Sequence, residues 1–97
     1  MINIEKAKNA FKEYVKEYDI NNPKIKTKIS HIQRVVVMSR KIAQDLKLDE
    51  ENTELAELIG LLHDIGRFEQ VKRYNTFVDR ISVNHGELGV KILLFLI

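Results

Sequence analysis

The chain contains no cysteine, which excludes both a disulfide framework and a thiolate metal site, so any metal here must be held by nitrogen and oxygen. It contains one proline and almost no strand-like alternation, and both argue against a turn-rich β architecture. No lysine or arginine block stands out, and the net charge of +2 with a pI near 8.9 is mild. A nucleic-acid footprint needs charge clustered on one face, so nucleic acid is disfavoured as a partner. The best basic patch, "KIKTK" at 24–28, reads as a solvated loop. The N-terminal "MINIEKAKNAFKEY" is charged and periodic, without the apolar core of a secretory signal. The six apolar residues at the C-terminal end, "ILLFLI", fall short of the about 20 that span a bilayer. No membrane association is expected, and the cytoplasm is the expected location. An apolar run ending the chain in this way suggests a helix cut part-way, hence a truncated domain.

Ninety-seven residues with 44% hydrophobic and 31% charged content suit one small globular domain. Apolar residues recur at three and four throughout, which predicts an all-α protein. A first amphipathic helix carries Ile4, Ala7, Phe11, Tyr14, Val15 and Tyr18, with Asn3 as its N-cap. "DINNPKIK" reads as the loop that ends it, since Pro23 and two asparagines disfavour continuation. A second helix is expected from Thr27 or Ser30, the latter in the capping box "SHIQ", with a buried stripe of Ile32, Val35, Val36, Ser39, Ile42, Ala43 and Leu46. Asp49 caps a third helix through Leu55, Leu58, Ile59 and Leu62, which is expected to stop at Gly66. A short fourth helix uses Phe68, Val71 and Tyr74, "NTFVDRIS" reads as loop, and "NHGELGVKILLFLI" restarts as helix with Asn84 and Glu87 spaced like a cap pair. The expected organisation is a single domain over 1–97, with an N-terminal helix and loop at 1–22 and a partial core at 26–97.

The three histidines, His31, His63 and His85, fall at expected helix starts or ends. Antiparallel packing would bring such ends together at one pole of a bundle. Neutral imidazole is the commonest metal ligand, and a carboxylate beside it completes a mixed nitrogen and oxygen set. Asp64 follows His63 directly and projects about 100° round the helix from it. One short segment can thus offer a nitrogen and an oxygen, and the carboxylate can bridge two ions. Such a set suits manganese, iron, nickel, cobalt or zinc better than calcium. A single histidine near an apolar face is more often a packed or capping residue than a ligand. Asp64 in the last turn of a helix, where the dipole disfavours a carboxylate, calls for a cation nearby, either Arg67 or a metal.

Taken together, His31, "LLHDIGR" with His63 and Asp64, and "NHGELGVKIL" with His85 resemble the HD-domain superfamily of metal-dependent phosphohydrolases. The resemblance covers roughly residues 26–95 and implies a helical HD-type bundle. It implies that His31, His63, Asp64 and His85 hold one or two divalent transition-metal ions, with Asp64 bridging, and that Asp64 and Arg67 serve catalysis, Arg67 by steadying a phosphate oxygen. It implies a phosphorylated small molecule or nucleotide as substrate. "HGELGVKIL" is also similar to the "HPExG" stretch of the HD-GYP subgroup, but the Gly-Tyr-Pro motif is missing, so cyclic dinucleotide hydrolysis is not expected. Family members close the site with a further aspartate well downstream of the doublet, and no residue here matches it. Asp79 precedes His85 in a loop-like context. Two functions compete: a metal-assisted phosphohydrolase, and a non-catalytic helical module that keeps the metal or nucleotide site for binding or regulation. No side-chain nucleophile is needed, and Ser30, Ser39 and Ser82 read as caps or helix surface. A homo-oligomer, burying the apolar tail and the Phe11, Tyr14 and Tyr18 stripe, is a further expectation.

Overall fold

Local capping chemistry decides most of the helix boundaries. In the computed structural model, which describes the backbone of residues 3–96 and the side chains of residues 3–94, Asn3 accepts a hydrogen bond from the Lys6 backbone N–H and opens α1 (Ile4–Val15). Asp49 does the same for Asn52 and opens α3 (Glu50–Leu62), with Glu50 and Glu51 at the positive end of the helix. Asn84 accepts from the Glu87 N–H at the start of α5 (His85–Leu96). These three starts are as the sequence predicts.

The second helix begins earlier than expected. Asn22 is the cap, accepting from the Lys24 N–H at 2.9 Å, and Pro23 is the first residue of α2 (Pro23–Asp45). Proline is favoured at that position because its missing N–H has no helical partner to lose and its φ is already helical. The residue read as a helix breaker is a helix starter, "KIKTK" lies on the helix, and Ser30 caps nothing. α2 ends with Lys47 at a left-handed φ of 58° and a Leu48 N–H to Ala43 carbonyl bond, so two terminal carbonyls are satisfied without glycine.

Gly66 differs as well. α3 stops at Leu62, a turn covers residues 63–65, and Gly66 is the first residue of α4 (Gly66–Tyr74). No positive φ requires a glycine there. Close approach does: a Cβ at residue 66 would fall inside contact distance of the His85 carbonyl oxygen and 2.8 Å from the Gly89 nitrogen. The first turns of α4 and α5 therefore cross backbone to backbone. A short 3-10 turn, Asp79–Ile81, interrupts the loop between them.

The core joins all of these helices. Phe11, Tyr18, Ile25, Ile32, Val36, Leu61, Ile65, Phe68 and Val71 form one buried cluster, with Ile92 and Leu93 of α5 packed against it. Each fully buried side chain of the size of Phe68 or Ile32 contributes about 1.5–3 kcal/mol of transfer free energy. Phe11 and Tyr18 thus face the chain's own core. Among the described residues there is no strand, and no helix is long and apolar enough to cross a membrane. The protein is an all-α bundle, as expected.

Two stripes depart from expectation. Ile42 on α2 and Leu46 at its C-cap, and Leu55 and Ile59 on α3, are exposed, Ile59 to 60%. The face of α3 turned inward carries Thr53, Glu57, Gly60 and Leu61. Gly60 explains the rotation, because α2 rides directly over it: a Cβ there would sit 2.9 Å from Ser39 Oγ and 3.3 Å from Val35 Cγ1. Glu57 tolerates burial because Lys8 of α1 reaches it at 3.1 Å and Arg40 of α2 hydrogen-bonds its other oxygen. Burial alone would raise the Glu57 pKa, but these two cations outweigh it and hold the carboxyl below its ordinary value.

Candidate metal centre

Because α2 starts at Pro23, His31 lies well inside the helix and not near its beginning, and Lys28 stands three residues before it on the same face. His63 caps α3, and Asp64 lies in the turn that leads into α4. Asp64 is therefore not in the last turn of a helix: it precedes the N-terminus of α4, where the dipole favours a carboxylate. His85 is the first residue of α5, and the crossing at Gly66 sets it against the 63–65 turn. His63 and His85 thus lie at helix ends as expected, and His31 meets them from within α2.

All three imidazoles address one buried carboxylate. Asp64 is 7% exposed. His63 Nε2 lies 3.1 Å and His31 Nε2 3.6 Å from its Oδ2, while His85 Nε2 lies 3.4 Å from its Oδ1. Donor atoms of His31, His63 and Asp64 all fall within 4.8 Å of one another, as one ion would require. His85 approaches from the opposite oxygen, so the carboxylate is shared between two groups of nitrogens.

The donor set is prepared for a cation. His63 Nδ1 is 2.7 Å from the Gly60 carbonyl oxygen, and His85 Nδ1 is 2.8 Å from Asp79 Oδ2. Both partners can only accept, so both Nδ1 atoms carry a proton, and Nε2 is the atom that each ring turns toward Asp64 and the one left to bind a metal. An Nε2 facing a carboxylate oxygen needs positive charge at the contact, either a proton on the ring or a cation that replaces it. Burial, and then the Lys28 ammonium, hold the His31 pKa below its ordinary value, which keeps that imidazole available as a neutral ligand. The chemistry of the residues therefore fits a divalent transition metal.

Two cations already touch the carboxylate. Lys28 Nζ is 3.5 Å from Asp64 Oδ2 and also lies over the Phe77 ring, 4.9 Å from its centroid, and Arg67 Nε is 3.8 Å from Oδ1. The Arg67 fork is largely engaged elsewhere: its Nη1 donates to the Phe77 carbonyl, Asp79 Oδ1 and Gln70 Oε1 at 2.8–3.0 Å, and its buried Nε has no hydrogen-bond partner among the described residues.

Three residues escaped the sequence reading. Lys28 was hidden by the misplaced helix start, and reading Asn22-Pro23 as a cap and first helical residue would have placed it one turn from His31. Asp79, read as loop, accepts from His85, Arg67 and Gln70. The His85 hydrogen bond, then that of Gln70, lowers its pKa to about 2. Gln70, fully buried, also donates to Ser82 Oγ and the Val83 carbonyl, pinning the loop to α4. No periodic signal marks either residue. Clefts of about 390 and 430 Å³ beside Tyr18 share no residue with this cluster, so the centre is recognised by its donors and not by a cavity.

An all-α bundle carrying three histidines around one buried aspartate is the architecture of a histidine–aspartate metal domain. A family model for the HD domain matches residues 29–94, and the chain belongs to that family. The model describes the HD domain at large and does not single out the HD-GYP subgroup. Neither the curated proteins nor the solved structures contain a match to the chain.

Proposed function

We propose that this chain is a metal-dependent phosphohydrolase that cleaves a phosphate ester, with nucleotides as the favoured substrate class. The observation that carries the reading is the convergence of three Nε2 atoms on the buried Asp64 carboxylate, with the Nδ1 atoms of His63 and His85 engaged by acceptors on the far side of each ring. His31, His63 and Asp64 would hold one ion, and His85 with the other oxygen of Asp64 a second. Manganese, iron, nickel, cobalt and zinc all suit such donors. A bound ion supplies Lewis acidity, which activates water near neutral pH and offsets the negative charge that grows on phosphorus.

The chain's own contribution is to hold and to orient. Asp64 presents one oxygen to each group of imidazoles, and the Gly60 carbonyl keeps the His63 ring from turning. Arg67 keeps its charge 3.8 Å from Asp64, where it adds positive potential for a phosphoryl group. Water is the nucleophile: its oxygen goes to phosphorus, the ester P–O bond breaks, and a proton leaves with the alcohol.

A second reading, a non-catalytic module that binds an ion or nucleotide, draws support from the cluster containing one carboxylate among the described residues, since Asp79 faces His85 and not the ion seat. Elemental analysis of purified wild type, His63→Ala and Asp64→Ala separates the possibilities. Metal near or above one per chain in wild type, lost in both variants, together with metal-dependent turnover of nucleotides or a generic phosphodiester, supports the hydrolase. Metal without turnover supports the module. Absence of metal after incubation with manganese, iron or nickel would refute the site.

A further inference from the structure

Asp79 is the most elaborately held side chain near the centre that the reading above leaves without a task. Its two oxygens have separate partners. Oδ1 accepts from Arg67 Nη1 and Gln70 Nε2, each at 2.9 Å. Oδ2 accepts from His85 Nδ1 at 2.8 Å and from the His85 backbone N–H at 3.4 Å. Gln70 is itself fixed by Ser82 and Val83, so the carboxylate cannot rotate without breaking several bonds.

We propose that Asp79 is a positioning residue for His85, holding a proton on Nδ1 and the ring in place so that Nε2, facing Asp64, is the nitrogen left to bind an ion in the second seat. The proposal rests on the metal-binding reading above and assigns a role to a residue outside the donor set. An imidazole free in water prefers its proton on Nε2. Without an acceptor at Nδ1, His85 would take that form and aim an N–H at Asp64 Oδ1, 3.4 Å away, making an ordinary hydrogen bond where a cation should sit. Asp79 also restrains the Arg67 guanidinium. Released from Asp79, the fork could close on the same Asp64 oxygen, from which its Nε is now 3.8 Å, and fill the seat with its own charge.

The isosteric variant Asp79→Asn is the sharpest probe because the hydrogen-bond directions are fixed. Arg67 and Gln70 both donate to the Oδ1 position, so the amide oxygen must occupy it. The amide NH2 then takes the place of Oδ2 and faces His85 Nδ1, which must become an acceptor. Asp79→Asn therefore inverts the tautomer with little change in shape.

The test pairs nitrogen-15 histidine spectra of the metal-free proteins with calorimetric titration by Mn²⁺, on wild type, Asp79→Asn and Asp79→Ala. Wild type is expected to show His85 protonated at Nδ1 and to take up two ions. Both variants are expected to show His85 protonated at Nε2, with one binding step weakened by about ten- to a hundredfold and the other unchanged. If Asp79→Asn does not fold, Asp79→Ala, which also removes the acceptor, carries the same expectation. A His85 still protonated at Nδ1 in the folded variants would overturn the proposal, as would equal weakening of both steps, which is the mark of a merely structural role. Two unchanged steps would overturn it while leaving the metal reading intact. A wild type that binds no Mn²⁺ overturns the metal reading and this proposal with it.

Discussion

Replacing Gly66 with alanine tests the fold and the site in one experiment. The added methyl group meets backbone on the opposing helix, namely the His85 carbonyl oxygen and the Gly89 nitrogen, and backbone cannot rotate away as a side chain can. α4 and α5 must separate by about 1 Å, since non-bonded heavy atoms settle near 3.5–4.0 Å. Overpacking of this kind costs about 1–3 kcal/mol, and the upper end applies where both sides are main chain. For a chain of this length each kcal/mol lowers the melting temperature by about 4–8 °C, so a fall of about 10 °C or more is expected. His85 is the residue displaced, so Mn²⁺ binding on its side of Asp64 should weaken in parallel. Circular dichroism melts of Gly66→Ala beside Gly86→Ala provide the assay. The control adds the same methyl group where only Asn84 Oδ1 comes near, at 3.2 Å, and should melt close to wild type. A Gly66→Ala protein melting within about 2 °C of wild type, under half the shift of a single kcal/mol, would show that the helices do not touch there. The placement of His85 would fail with it.

Further outcomes follow from the caps and the buried polar groups. Asn22→Ala should cost about 1 kcal/mol in urea denaturation, because it removes the cap of α2; no effect would favour a helix starting at Thr27 or Ser30. Tyr18→Phe, which removes the hydroxyl that donates to Glu69 Oε1 at 2.8 Å and bonds Tyr14, should cost about 1–2 kcal/mol in the same assay, and wild-type stability would count against that buried pair. Glu57 has a folded-state pKa below its ordinary value of 4.5, so its contribution is fully present above that pH and is lost as the pH falls through the lowered folded-state value. Glu57→Gln should therefore be less stable than wild type at neutral pH and should lose less on acidification; parallel stability curves for the two proteins would refute the assignment.

What the sequence showed depended on how local each signal was. Asn3, Asp49 and Asn84 were legible as caps because the group that each one satisfies lies within three residues. Asn22 follows the same rule, but the proline after it masked the signal, and the error carried on to Lys28 and to the placement of His31. The apolar stripe of α3 was ambiguous because that helix has leucine or isoleucine on more than one face. Gly60 and the Lys8–Glu57–Arg40 pairing, both of which depend on the neighbouring helices, decided which face turned inward. The site residues His31, His63, Asp64 and His85 carried a chemical pattern, and the structure brings their side chains together. Asp79 and Gln70 carried none, since they bond across the loop between α4 and α5, a pairing that becomes visible only when the two helices are packed.

The Asp64 carboxylate is reached by α2 through Lys28 and His31, by α4 through Arg67 and by α5 through His85. These segments are far apart along the chain, and in the unfolded ensemble nothing holds them near one another. An ion seated on Asp64 would therefore act as a clasp on these helices, binding the native chain and almost none of the unfolded one. At a hundred times its dissociation constant such an ion adds about 2.7 kcal/mol to the unfolding free energy. Heating the protein against a series of metals would rank their affinities without a substrate, each metal reading out as degrees of added thermal tolerance.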